Sequence, residues 1–185
     1  MLEIRRKIFH LLGISLWVVP ISFFPHKLLI LTFILVLFLN LLVVKRVGEE
    51  KLKAIYRLIT YFERERNLQK PGIQALWANL GIFLSYLVFG KESTIVGVLL
   101  LAFGDAFAGL VGTLFGKKRV WGKSLEGSFA FFFSSFLVLL PIIGLRDALI
   151  IALVGTLVEL LPLKLDDNLT LPLVGAFLHY LLKNF

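Results

Sequence analysis

The sequence predicts an all-α fold: a polytopic transmembrane helix bundle of six to seven spans, N-terminus cytoplasmic, forming a single integral-membrane domain over residues 1–185. Three observations predict it. Hydrophobic residues make up 58% of the 185, with a mean hydropathy of +0.90, whereas soluble domains are about half apolar. The apolar residues gather into seven segments. The cations fall almost entirely between alternate segments.

The segments lie at about 8–24, 28–44, 73–89, 93–115, 127–144, 147–162 and 171–182. Most approach the ~20 residues needed to cross a bilayer. The first follows Arg5, Arg6 and Lys7 as a secretory signal would, but no small-residue cleavage site follows, so it reads as a retained helix. The last would be about 18 Å long as a helix, short of a ~30 Å hydrocarbon core, and reads as a half-helix or a partly interfacial one.

With the N-terminus inside, sixteen of the twenty Lys and Arg residues share one face with it, in 1–7 and the inner loops 45–72, 116–126 and 163–170. Only Lys27, Lys91, Arg146 and Lys183 lie opposite. This asymmetry is the positive-inside signature. It accounts for much of the +8 net charge without a nucleic-acid partner. No cysteine is present, which removes disulfides, thiolate nucleophiles and cysteine-ligated metals. In the loop 45–72, Leu52, Ile55, Tyr56, Ile59 and Phe62 recur at helical spacing among charges, predicting an amphipathic helix on the inner leaflet.

The stretch Gly122-Lys123-Ser124 imitates the end of a phosphate-binding loop, but the upstream Gly116 is one residue too far away for that motif, and no strand is expected before it. What remains is a short basic loop with Lys117 and Lys123, whose glycines let backbone N–H groups approach a ligand, ahead of a helix expected from about Gly127. It suits a polyphosphate, although basic inner loops are also common as topology anchors.

Ala108, Gly112 and Gly116 repeat every fourth residue and give the preceding span one smooth, helix-packing face. Asp105, some 16 Å of helix from Gly116, requires a polar cavity or a cation at that depth, or a helix that projects into the cytoplasm. Glu159 raises the same question. Asp166, Asp167 and Asn168 offer hard oxygen donors of the kind that suit Mg²⁺, and equally an Asx-rich helix cap before Pro172. Glu3, Lys7 and His10 share a helical face, and His10 is a candidate acid–base group. His26 and His179 map to the opposite side. Cations for a polyphosphate and oxygen ligands for a divalent ion, gathered at a lipid interface, are the components of phosphoryl or nucleotidyl transfer to a lipid.

These residues resemble the CTP-dependent polyprenol kinases, a family that includes dolichol, phytol and farnesol kinases and the fungal CTP-dependent diacylglycerol kinase. RRKIFHLLG (5–13), FERE (62–65), GDAFAGLVGTLFGK (104–117) with GKSLEGSFA (122–130), and ELLPLKLDDNLTLPL (159–173) are similar to four of its motifs, in order. The resemblance implies CTP as phosphoryl donor, Mg²⁺ or another divalent cation, and a membrane-embedded isoprenoid alcohol as acceptor. It implies metal ligation by Asp105, Glu159, Asp166, Asp167 and Asn168. Lys7, Arg64, Lys117, Gly122, Lys123, Ser124 and Gly127 are then nucleotide-binding. Asp105, Glu126 and His10 are the catalytic candidates, with Asp105 preferred over Glu126 for taking the alcohol proton. A multi-pass protein of the cell membrane with a cytoplasmic active face follows, a homo-oligomer being compatible with it. Two alternatives stay open: a CTP:lipid-phosphate cytidylyltransferase, and a small transporter with Asp105 in its path.

Overall fold

The structure, a computed structural model, describes residues 2–63 and 67–185. Arg64, with Glu65 and Arg66, lies outside the described residues, so FERE is seen only through Phe62 and Glu63.

The chain is helical nearly throughout. Helix α1 (Leu2–Ser15) passes through Leu16 and Trp17 into α2 (Val18–Phe23). Pro25 then holds the backbone extended (φ −64°, ψ 151°) and α3 (His26–Val44) begins. Helix α3 is apolar all round yet buries only Leu29 and Phe33, as expected of a helix facing lipid. The amphipathic segment forms α4 (Lys53–Tyr61). It docks on the bundle: Tyr56 is buried and donates to the carbonyl of Val47 at 3.1 Å, and the Phe62 ring stacks on Phe9 at 4.6 Å. Part of its apolar face therefore meets protein rather than lipid.

Helix α5 (Ile73–Leu99) and helix α7 (Leu125–Leu160) are each interrupted by one glycine, Gly90 (φ 77°, ψ −179°) and Gly144 (φ 79°, ψ 173°). These left-handed φ values favour glycine, and at both positions the chain reverses. In a straight helix Ser128 and Glu159 would stand about 46 Å apart, yet the Ser128 hydroxyl donates to Glu159 Oε2 at 3.3 Å. Gly81 and Gly97 likewise both abut Pro172. Among the described residues four helical stretches, Leu2–Phe23, His26–Val44, Ile73–Phe115 and Leu125–Leu160, are long and apolar enough to cross a membrane. The last two are hairpins whose arms match the expected pairs 73–89/93–115 and 127–144/147–162.

Between α5 and α6 (Ala106–Phe115) lies one wide π-helical turn, Leu100–Asp105, a feature that often marks functional sites. The loop after α6 contains a two-residue ribbon, β1 (Arg119–Val120) against β2 (Lys123–Ser124), turned through Trp121 (φ 50°) and Gly122 (φ 87°). Positive φ at both central residues is the geometry of a tight two-residue hairpin, and it corrects the expectation of an irregular loop with no strand beside Gly-Lys-Ser. Helix α7 starts at Leu125, two residues earlier than expected, capped by Ser124, whose Oγ accepts the Gly127 N–H at 3.1 Å.

Helix α8 (Asp167–Asn184) has 18 residues, longer than its apolar stretch, and packs chiefly along α5. Gly81, Gly97 and Gly175 leave no side chain between the two, the close approach that small residues allow in membranes. Leu100, Leu101, Phe131, Leu139, Ile151 and Leu171 are fully buried, while Phe23, Leu31, Phe129, Leu137 and Leu153 lie on an apolar outer surface. The reversals put the start of α1 and the segments 45–63, 67–72, 116–126 and 161–166 at one end of the bundle. At the other end, Lys91 donates to the Phe24 carbonyl at 2.8 Å.

Candidate active site

At the basic end, α1, the π turn, α6, the β1–β2 hairpin and the α7–α8 connection enclose a polar cavity of about 570 Å³. Lys7 enters it from α1. Its ammonium donates to Asp105 Oδ2 at 2.6 Å and to the Asp105 carbonyl at 3.0 Å. The lysine stem reaches there across Gly109, where a Cβ would overlap it. The cation that Asp105 requires at its depth thus comes from the N-terminal basic motif. His10 Nε2 stands 3.4 Å from the same carboxylate oxygen and makes no hydrogen bond. Arg6, buried like Lys7, donates to Glu3 Oε2 at 2.8 Å and to Gln74 Oε1 at 3.1 Å.

The second cluster centres on Lys123. Its ammonium pairs with Asp167 Oδ2 at 2.7 Å and Glu159 Oε1 at 3.2 Å, and donates to the Glu159 carbonyl. Burial opposes the charge on Lys123, but the Asp167 hydrogen bond and the two carboxylate charges outweigh it and hold its pKa above the ordinary lysine value. Burial pushes the Asp167 carboxyl above its ordinary value; Lys123 pulls it back, and the charge of Asp105 adds to the rise. Asp105, Glu159 and Asp167 therefore surround one space, facing two lysines.

Asp166 caps α8, its Oδ1 accepting the backbone N–H and side-chain N–H of Asn168 at 2.9 and 2.7 Å. Asn168 Oδ1 is left buried without a partner. The small face of α6 works as expected. A Cβ on Gly112 would stand 2.7 Å from Ser124 Oγ, and one on Gly127 would stand 2.8 Å from the Ala108 carbonyl. That contact brings the N-terminus of α7, a site suited to anions, to the cavity wall.

Of the residues singled out in the sequence, Lys7, Asp105, Gly122, Lys123, Ser124, Gly127, Glu159, Asp166, Asp167 and Asn168 line this cavity. Glu126 and Lys117 are not among its lining residues: the Glu126 carboxylate accepts the Lys117 and Lys118 N–H groups at 3.1 and 3.4 Å and pins the loop to α7. Gln74, Arg119 and Trp121 line the cavity and were missed. Arg119 lay within the basic loop, but Gln74 and Trp121 carry no sequence signal of their own.

Beside the cavity runs a mostly apolar groove of about 440 Å³, walled by Phe9, His10, Gly13 and Trp17 of the first helices, Val36 and Val43 of α3, and Ala75 of α5, with Ile59 and Phe62 over it. Arg6 and Gln74 line both spaces. The Asp105–His10 contact joins them, Asp105 facing the cavity and His10 the groove.

Fold and site together define a membrane-embedded helical protein that holds a cation- and carboxylate-lined cavity against an apolar groove. The chain belongs to the same family as an uncharacterized protein of Rickettsia prowazekii, to which it is 30% identical over 92% of this chain and 90% of that one. At family level it is related to dolichol and phytol kinases. It is 33% identical to the dolichol kinase of Schizosaccharomyces pombe over 93% of this chain, and 30% identical to a probable chloroplastic phytol kinase of Glycine max over 69%. The chain spans only 38% and 50% of those two proteins. No family model and no solved structure matches it.

Proposed function

We propose that this chain is a kinase of a membrane isoprenoid alcohol, transferring the γ-phosphoryl group of CTP to the hydroxyl and releasing CDP. One observation carries the reading: Asp105, held by Lys7, sits where the polar cavity adjoins the apolar groove. A polyphosphate in the cavity and an alcohol in the groove would meet at that carboxylate. The alcohol oxygen attacks the γ-phosphorus as the bond to the β-phosphate oxygen breaks, and the hydroxyl proton passes to Asp105. Lys7 fixes the carboxylate. Lys123, Arg119 and the first N–H groups of α7 meet the phosphate charge, supplying the alignment and charge stabilisation that phosphoryl transfer requires.

Among the described residues no group of three His, Asp or Glu side chains converges as a metal cluster. The donor set nonetheless fits Mg²⁺, which is usually held by one or two carboxylates together with substrate phosphates. Glu159 and Asp167 already share a cation, the Lys123 ammonium, and Asn168, whose Oδ1 is unpartnered, lines the same cavity. Glu159, Asp167 and Asn168 would hold the ion, which when bound neutralises charge on the transferring phosphates. The reading includes six to seven spans in one domain, with the N-terminus and the active face in the cytoplasm, supported by the charge asymmetry.

The test is purified protein incubated with γ-labelled CTP or ATP and a panel of phytol, farnesol, geranylgeraniol, dolichol and diacylglycerol. CTP-dependent lipid monophosphate with release of CDP is the expected result, abolished by Asp105→Asn. With the corresponding lipid monophosphates offered as acceptors in parallel, formation of pyrophosphate and a CDP-lipid would overturn it in favour of nucleotidyl transfer.

A further inference from the structure

Because α1 and the turn after it, as far as Trp17, run along the apolar groove, they give it a length. Their lining positions Arg6, Phe9, His10, Gly13, Ile14 and Trp17 form one stripe. From His10, at the Asp105 end, to Trp17 is about 10 Å of helix. The far end is not made of flexible side chains. The Trp17 indole stacks on Phe33 at 4.4 Å between ring centres and donates to Asn79 Oδ1 at 2.7 Å, and Asn79 donates to Asn40 Oδ1 at 2.8 Å. Phe33 is fully buried, and Trp17 and Asn79 nearly so. The groove therefore opens at a reactive polar end and closes on a braced aromatic plate flanked by two amides.

We propose that Trp17 is the stop that sets the length of acceptor chain this protein takes, selecting short isoprenoid alcohols over long polyprenols. The proposal rests on the lipid-alcohol kinase reading. The occupant is argued from continuity: the groove shares Arg6 and Gln74 with the polar cavity, and His10 brings its wall to Asp105. A chain anchored by its hydroxyl at Asp105 runs along the stripe and meets Trp17. Asn79 and Asn40 line the groove beside the indole, so that end offers bonded amides, which hydrocarbon meets less well than an apolar wall.

Gly13 offers an independent handle. It lines the groove midway between His10 and Trp17, and a Cβ built there meets nothing within 4 Å. A side chain begun there meets open space and narrows the groove between its two ends.

The experiment measures kcat/KM for farnesol, geranylgeraniol and undecaprenol with the wild type, Trp17→Ala and Gly13→Leu. Trp17→Ala is expected to raise the geranylgeraniol-to-farnesol ratio about tenfold, and Gly13→Leu to lower it by a similar factor, the size expected for adding or removing a few carbons of pocket. A structural role alone would lower all three rates together and leave the ratios fixed. If Trp17→Ala does not fold, Gly13→Leu decides. A wild type active on alcohols with ratios unchanged in the folded variants overturns the stop and leaves the kinase standing. A wild type that phosphorylates none of the alcohols with either nucleotide overturns both.

Discussion

Replacing Lys7 by methionine removes the cation while keeping a stem of similar shape across Gly109. Asp105, whose side chain is only 20% exposed, then loses its 2.6 Å partner. Removing one member of a buried pair costs ~3–5 kcal/mol, mostly the penalty of stranding the other. The carboxylate is partly open to the polar cavity rather than fully desolvated, so the lower end applies, about 3 kcal/mol. For a chain of this size that is a fall in Tm of about 6–12 °C. Asp105→Asn strands Lys7 instead and is expected to cost a similar amount. The double variant leaves two neutral groups in contact and should be about as stable as either single variant, giving a coupling energy of about 3 kcal/mol. Activity should follow another rule: the double variant stays inactive, down about 10²–10⁴-fold, because the proton acceptor is missing in both backgrounds. Thermal unfolding of the four proteins in one detergent, with CTP turnover on each, measures both. Melting shifts that add to within ~0.5 kcal/mol would refute the argument, since uncoupled sites add.

Three further outcomes follow from the same geometry. Glu126→Ala frees two exposed backbone N–H groups and should lower the melting temperature slightly while lowering turnover less than tenfold; a loss as large as that of Asp105→Asn would instead return Glu126 to the chemistry. Lys123→Gln should strengthen Mn²⁺ binding, measured by electron paramagnetic resonance, because the internal cation between Glu159 and Asp167 is gone, and should weaken CTP binding; unchanged Mn²⁺ affinity would remove Glu159 and Asp167 as ligands. The Lys123 pairings also have a pH signature. With the folded pKa raised, their stabilisation is fully present below the ordinary lysine value and is lost as pH rises through the higher one. The melting difference between wild type and Lys123→Gln should therefore be flat through neutral pH and shrink only in strong alkali.

Hydropathy and charge carry the helical segments because the bilayer imposes both: every span must be apolar, and its cationic flank must stay inside. The reversals at Gly90 and Gly144 show in the sequence for the same reason, as polar interruptions at Lys91-Glu92 and Arg146-Asp147. The gathering of Asp105, Lys123, Glu159 and Asp167 could be inferred because each needs a partner and all fall near one end. Which cation meets which carboxylate could not: Lys7 reaches Asp105 only because Gly109 leaves it a slot, a relation between helices 98 positions apart in contact. The π turn depends on packing of Gly104 against Phe131 and Ser135, and leaves no periodicity to read. Helix α4 was expected on the lipid surface because an amphipathic stripe fits protein and membrane equally well. Only the Phe9–Phe62 stack and the buried Tyr56 show that it covers a groove.

Helix α1 separates the two compartments. Lys7 points from it into the wet side, and Phe9 and Gly13 line the oily side. A rigid rod serving as a common partition cannot slide or tilt for one occupant without reshaping the space left for the other. Charge arriving in the cavity that draws Lys7 away from Asp105 would loosen the partition where the second chamber begins, so that filling either side registers on the far side of the same helix.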